Sequence, residues 1–346
     1  MPNKIEQEIK VALKDWGKII RPYKKADTKK AVIQILNSYG PFIAIWVLMY
    51  FSLDWSYLLT LGLAVVNSFF LVRIFIIQHD CGHQSFFKNK KWNNFVGWTS
   101  SFFSTIPFDY WAKVHNYHHG HTGKLEHRDI GDIDFLTVKE YRELSRFGKW
   151  KYRAFRHPIV LFFIVPVIYL GIINRLPTIG FKGWKPTHIR QYINNALLLG
   201  VFMALGFGLG WANFLMVHLP IIFCFGVISF WFFYVQHQHE ETYMQWTEKW
   251  DFVLAAIKGA SYYKLPKVWH WLTGNIGYHH IHHLSSKIPN YNLAKCAREN
   301  PILQKYVQKL TFTESLKTMF HKLWDEEQQR MISFKEYYML ERMRAA

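Results

Sequence analysis

The chain has 346 residues, half of them hydrophobic and 18% aromatic, with a formal charge of +18. Its mean hydropathy is near zero because long apolar runs alternate with basic segments, the profile of an integral membrane protein with a large water-facing part. The charge alone would suit nucleic acid, but beside apolar runs it fits anionic lipid headgroups and an acidic protein partner better, and no nucleic-acid partner is expected. The three cysteines, Cys81, Cys224 and Cys296, form no C-x-x-C pair, so neither a disulfide framework nor a thiolate zinc site is signalled.

Residues 1–31 read as an amphipathic N-terminal segment. Met1 to Lys30 is polar and basic without an apolar core of signal-peptide type, so no cleaved targeting sequence is expected and the N-terminus is expected in the cytoplasm. Within it Ile5, Ile9, Leu13, Trp16 and Ile20 recur at helical spacing. That helix is expected to lie at the membrane surface, the alternative being packing on the chain's own soluble part.

Residues 32–312 read as the membrane domain. A first apolar run, about Val32 to Leu53, is interrupted by Gly40-Pro41, and a second, Tyr57 to Ile77, is long enough to span hydrocarbon. Only Asp54-Trp55-Ser56 joins them, so they form a hairpin. Lys24, Lys25, Lys29 and Lys30 precede it and Lys88, Lys90 and Lys91 follow it, which puts both ends on the cytoplasmic side. A second hairpin comprises Ile193 to Trp211 and Phe214 to Val235, with a turn at Ala212-Asn213. Two shorter stretches, Phe95 to Phe108 and Ile159 to Ile173, are interrupted by Ser, Thr or Pro and read as interfacial or re-entrant. Residues 313–346 read as a charged, solvated C-terminal helix in the cytoplasm.

Histidines dominate the rest. Gly277-Tyr278-His279-His280-Ile281-His282-His283 carries four imidazoles in five consecutive residues, too many for a packing role, since each buried ring needs a partner for its nitrogens. His79-Asp80-Cys81-Gly82-His83 is an H-x-x-x-H, and His115-Asn116-Tyr117-His118-His119 repeats the spacing of His279, His282 and His283. Positions i, i+3 and i+4 share a helix face, so each cluster can aim its rings at one point. If all three clusters meet, an even number of crossings must separate them, which again makes the two short stretches non-spanning.

Eight imidazoles exceed what one ion takes. They imply two metals with roughly four nitrogens each, or five at one of them if His237 joins. A nitrogen-only set with open positions suits iron, while zinc and copper satisfy the same ligand type. Asp80, Glu126, Asp129, Asp132 and Asp134 are candidates to orient the rings through their second nitrogens, against the simpler reading of each as a surface ion pair. The scattered His127, His157, His188, His218, His270 and His321 read as surface or hydrogen-bonded core residues, and His121, His239 and His280 fall outside the cluster spacing. Gly82, Gly274 and Gly277 mark either close approaches or turns.

The three clusters, in this order and separated by a membrane hairpin, resemble the histidine boxes of membrane fatty-acid desaturases. The similarity continues through Thr122-Gly123-Lys124-Leu125-Glu126, Trp250-Asp251, Lys258-Gly259-Ala260, His283-Leu284 and Pro289-Asn290-Tyr291, and Tyr234-Val235-Gln236-His237-Gln238 is similar to the bacillus type within the acyl-lipid branch of bacterial and plant-type enzymes. The resemblance covers roughly residues 40 to 300. It implies a non-haem di-iron centre on the cytoplasmic side of a bacterial cell membrane, inserting a double bond into an acyl lipid with O2 and two electrons. By the same resemblance His79, His83, His115, His118, His119, His279, His282 and His283 are iron ligands and His237 a ninth; of the nearby acids named above, Asp80, Glu126 and Asp129 are the ones expected behind them. No His-Pro-Gly-Gly stretch of a fused cytochrome b5 domain occurs, so the electrons are expected from a separate carrier of ferredoxin, flavodoxin or cytochrome b5 type.

The expected fold is all-α: four transmembrane helices in two hairpins, with a cytoplasmic helical cap holding the metals. Two rival readings remain at this level. A histidine-box hydroxylase or ketolase shares the first hydrogen abstraction. A metal transporter or sensor would place polar ligands inside the spans, which here are clean apart from Asn67, Arg73 and His218.

Overall fold

The computed structural model describes residues 4–345. Helices α1 (Lys4–Ala12) and α2 (Trp16–Ile20) lead into α3 (Thr28–Ser52) and α4 (Tyr57–Gly82). Asp27 caps α3 by accepting from the amides of Lys29 and Lys30, and Ser56 caps α4 by accepting from Leu59. Pro41 sits inside α3 without ending it, so the interruption at Gly40-Pro41 is covered by one continuous helix.

Next come α5 (Lys90–Ser104), α6 (Phe108–His121), α7 (Val138–Glu143), α8 (Arg146–Phe155) and α9 (Val165–Gly171). Between α8 and α9 a π-helical turn at Val160–Ile164 accompanies a 56° bend, which fits a re-entrant or broken segment. The second hairpin is α10 (Lys185–Leu209) and α11 (Trp211–His237). Its turn is at Gly210, φ 84°, rather than Ala212-Asn213, because glycine takes the left-handed conformation freely.

Four helices, α3, α4, α10 and α11, are long and apolar enough to cross a membrane. Their outer faces carry exposed Leu36, Leu48, Leu199 and Phe207, the surface a bilayer covers. Arg73, polar within α4, does not face lipid: it donates to Ser38 and Asn37 of α3 and to the Trp271 carbonyl, and lies over the Trp271 ring.

The remaining helices gather beyond the C-terminal ends of α4 and α11. They are α12 (Phe252–Lys258), α13 (Lys267–Leu272), α14 (His279–Leu284), α15 (Asn290–Glu299), α16 (Phe312–Thr318) and α17 (Phe334–Ala345). Ile9, Leu13 and Ile20 are buried against Leu254, Ile257, Ile281 and Leu284 of α12 and α14. The N-terminal helices therefore pack on the chain's own cap and not, as expected, with their apolar face at the membrane surface; burial against the cap already satisfies that face.

A second correction concerns residues 313–346, which are not one helix. Between α16 and α17, β4 (His321–Asp325) and β5 (Arg330–Ser333) form an antiparallel hairpin, and the short β1 (Leu136–Thr137) adds in parallel to β4. Leu323, Trp324, Met331 and Ile332 are buried there, so the segment is a packed element and not a solvated one. A second two-residue pair, β2 (Tyr262–Tyr263) with β3 (Lys309–Leu310), is parallel. These additions leave the architecture overwhelmingly helical.

Candidate metal centre

Four helices deliver nine imidazoles to one place. The last turn of α4 carries His79 and its C-cap is His83; α6 carries His115, His118 and His119; α11 ends on His237; α14 carries His279, His282 and His283. Close helix approach is required: a Cβ on Gly82 would sit 3.0 Å from Ala112 of α6, and one on Gly277 would sit 2.7 Å from the Tyr263 carbonyl.

The rings fall into two groups. His79, His83, His115, His119 and His282 each offer a nitrogen within 4.8 Å of every other, and so do His118, His237 and His283. His279 completes the second group, its Nε2 lying 2.9 Å from that of His237 and 3.0 Å from that of His283. In the first group the Nε2 atoms of His119 and His115 are 3.1 Å apart, and those of His282 and His119 are 3.0 Å apart. Nitrogens so close match the ligand edges of a polyhedron whose metal–nitrogen bonds are about 2.0–2.1 Å, so each group could hold an ion.

Electrostatics favours the ligand form. Burial, reinforced by neighbouring imidazoles, holds His83, His115, His119, His279, His282 and His283 well below the usual histidine range, so they are neutral at pH 7 with lone pairs available. The Nε2 of His83 has no partner among the described residues, although it is fully enclosed. A buried, nitrogen-only donor set with an orphaned nitrogen fits transition-metal ions.

The outer nitrogens are held in place. His79 Nδ1 is 3.0 Å from Asp80 Oδ1, and the other oxygen of Asp80 accepts from the backbone amide and side chain of Asn290. His83 Nδ1 is 2.9 Å from Asn116 Oδ1, and His237 Nδ1 is 3.2 Å from the Gly259 carbonyl. Asp132 Oδ2 lies 3.2 Å from His118 Nδ1, and the Thr122 hydroxyl lies 3.4 Å from both His118 and His283. Trp111 stacks on His115 at 4.5 Å.

Of the acids expected behind the rings, Asp80 and Asp132 are in contact and Glu126 is not: its carboxylate accepts from the Thr247 amide at the surface. Asp129 and Asp134 are also displaced, onto the wall of a neighbouring cavity, because the loop after α6 turns them outward. The backbone carbonyl of Gly259 and the side chains of Asn116, Thr122, Asn290 and Trp111 carry no metal-ligand spacing and went unassigned. Asn116 nevertheless sits inside the second histidine cluster, and Thr122, Gly259 and Asn290 lie in the stretches of similarity. His121, bonded to the Tyr117 carbonyl, and His280, facing Gln304, stand outside both groups.

The cavity, about 490 Å³, begins at His79, His115 and His279 and continues between α4, α9 and α11 along Val72, Phe75, Leu170 and Phe225. It is a long apolar space with histidines at one end. A family model described as fatty acid desaturase matches residues 53–313. The chain belongs to the fatty acid desaturase family. It is 42% identical over 330 residues to a fatty acid desaturase of Bacillus subtilis (strain 168), covering 95% of this chain and 93% of that one. It is 29% identical to an sn-1 oleoyl-lipid 12-desaturase of Picosynechococcus over 65% of this chain and 64% of that one. To an sn-1 acyl-lipid omega-3 desaturase (ferredoxin) of Nostoc it is 27% identical, over 73% of this chain and 69% of that one. Membership in this family makes the protein an oxidoreductase of lipid metabolism.

Proposed function

We propose that this desaturase inserts a double bond into the acyl chain of a membrane lipid, using O2, two electrons from an external carrier, and two iron ions held by the nine histidines. The observation that carries the reading is the junction of two imidazole groups with an apolar cavity. The iron ions would supply the O2-derived oxidising power that an unactivated methylene C–H requires, since no side chain can remove such a hydrogen by acid–base chemistry.

The chain's own residues do the positioning. Val72, Phe75, Leu170 and Phe225 exclude water from the acyl chain, and His79, His115 and His279 on the cavity wall bring the reacting carbons beside the ligand nitrogens. Asp80 and Asn116 fix the orientation of the His79 and His83 rings. Two hydrogens leave the acyl chain, and two electrons from the carrier with two protons complete the reduction of O2 to water.

The same reading places the metal site and both termini in the cytoplasm of a bacterial cell, with residues 32–312 as the catalytic unit flanked by 1–31 and 313–346. The carrier is an acidic protein, of ferredoxin, flavodoxin or cytochrome b5 type, suited to a chain of charge +18. The test is the fatty-acid profile of cells expressing the wild type or His282→Ala. A new unsaturated species confined to the wild type is expected, whereas hydroxylated or keto products would favour a histidine-box oxygenase.

A further inference from the structure

The cavity reaches the surface on two sides that differ in charge. One side ends at Asp129 and Asp134, both exposed acids. The other ends at Ile173 and Thr178, also exposed, in a surface continued by the apolar Ile172 and Leu176. At the first mouth Asp129 disfavours an anionic head, while Asp134 lies 3.9 Å from Arg128. The second is flanked by the exposed apolar Ile172, Ile173 and Leu176, a surface that suits lipid.

At that second mouth the loop after α9 is fixed from behind. Asn195 of α10 donates to the Arg175 carbonyl at 2.8 Å, Gln191 donates to the Asn174 carbonyl at 3.2 Å, and the Ile179 amide donates to the Tyr110 hydroxyl at 2.9 Å. The same loop carries unused donors, Asn174 on the cavity wall and its neighbour Arg175 beside it. Asn174 lines the cavity and is 2% exposed, and its side-chain nitrogen has no acceptor; nor do Nε and Nη2 of Arg175, although both are enclosed. Only Nη1 of Arg175 is occupied, donating to Asn195 at 3.0 Å.

No carboxylate pairs with Arg175 among the described residues. The acid on this flank, Asp109, is held by Arg190 at 2.9 Å and by the Trp98 indole at 2.6 Å. An enclosed guanidinium with two free donors is costly until an oxyanion meets it, and its planar fork matches phosphate. Loss of water at the bilayer interface strengthens that match.

We propose that Arg175 and Asn174 form a headgroup site, Arg175 binding the phosphate of a glycerophospholipid and Asn174 donating to an ester carbonyl, with the acyl chain passing into the cavity. This rests on the desaturase reading and gives it a substrate class: an acyl group esterified in a phospholipid, arriving from the bilayer, in place of a thioester arriving from water.

The test reads binding, not turnover. Purified wild type, Arg175→Gln, Arg175→Lys and Asn174→Leu, in detergent, are incubated with palmitoyl-oleoyl phosphatidylglycerol, washed, and the retained lipid is quantified by mass spectrometry. The exposed Arg142→Gln is the control, and monodisperse elution of each variant excludes misfolding. Retention is expected to fall about tenfold in Arg175→Gln, the loss of a charge-assisted contact, and less in Arg175→Lys and Asn174→Leu. Phosphatidylglycerol should resist displacement by stearoyl-coenzyme A or by inorganic phosphate at equal concentration. Unchanged retention in Arg175→Gln, or displacement by either competitor, overturns the proposal. Its failure is separable from failure of the desaturase reading: the first leaves normal unsaturated product with lipid retention indifferent to Arg175, the second leaves Arg175-dependent retention without product.

Discussion

The two imidazole groups are built differently. In the five-ring group, outer nitrogens rest on side chains: Asp80 behind His79 and Asn116 behind His83, with Asp80 tied to Asn290 and Asn116 donating to the Ala112 carbonyl. In the four-ring group His237 rests on the backbone carbonyl of Gly259, Asp132 lies 3.2 Å from His118 Nδ1, and the Thr122 hydroxyl lies 3.4 Å from His118 Nε2 and from His283 Nδ1. A side-chain support can be removed by one substitution, whereas the Gly259 carbonyl behind His237 cannot. The five-ring group also has a ring in reserve, while the four-ring group has none.

The largest expected contrast follows from that reserve. His283→Ala leaves three rings in its group and is expected to lose about one ion per chain and all detectable product. His83→Ala leaves four rings and is expected to keep both ions while activity falls by roughly a hundredfold. Metal analysis beside lipid profiling checks both, and equal ion loss in the two variants would erase the asymmetry.

Smaller effects sharpen the difference in support. Asp80→Asn, which keeps the size but removes the charge facing His79, is expected to lower metal affinity or activity by about ten- to a hundredfold. Thr122→Val removes the two 3.4 Å contacts to the rings and the 2.7 Å hydrogen bond that the hydroxyl donates to the His118 carbonyl, none of them charge-assisted, and is expected to cost a few-fold, less than Asp80→Asn in the same titration of metal against chelator.

The smallest effect is one of pH on the metal-free protein. Six buried histidines have folded pKa values depressed below the unfolded value of about 6.5, so below that pH the unfolded chain binds more protons than the folded one. Their contribution to stability is present above about pH 6.5 and lost as pH falls toward the depressed values. The unfolding midpoint of chelated protein is expected to drop on that acidic side, and substituting His119 should blunt the drop more than substituting the half-buried surface His127.

What the sequence reveals follows the same physical divide. The spans were legible because apolar runs of bilayer length have few alternatives, and the eight clustered rings because helical spacing puts residues such as His115, His118 and His119 on one face; His237, a single ring, was assigned its ligand role through the resemblance. Supports such as Asn116 and Thr122 were not legible, since a single amide or hydroxyl has no periodicity and becomes a support only through the approach of another helix. Glu126 and Asp129 misled for the reverse reason: nearness in sequence to a cluster does not fix the direction of a loop. The hairpin at His321–Ser333 was masked by its charges, because the burial of Leu323, Trp324, Met331 and Ile332 depends on packing partners far away in the chain.

On the proposed function, nine imidazoles hold two ions. The most direct measurement is X-ray absorption at the iron edge, with iron quantified per chain, on protein purified from cells grown with iron. The account predicts two irons per chain and a nitrogen-dominated shell with the outer scattering of four to five imidazoles per ion. One ion per chain, or a shell dominated by oxygen, would contradict it.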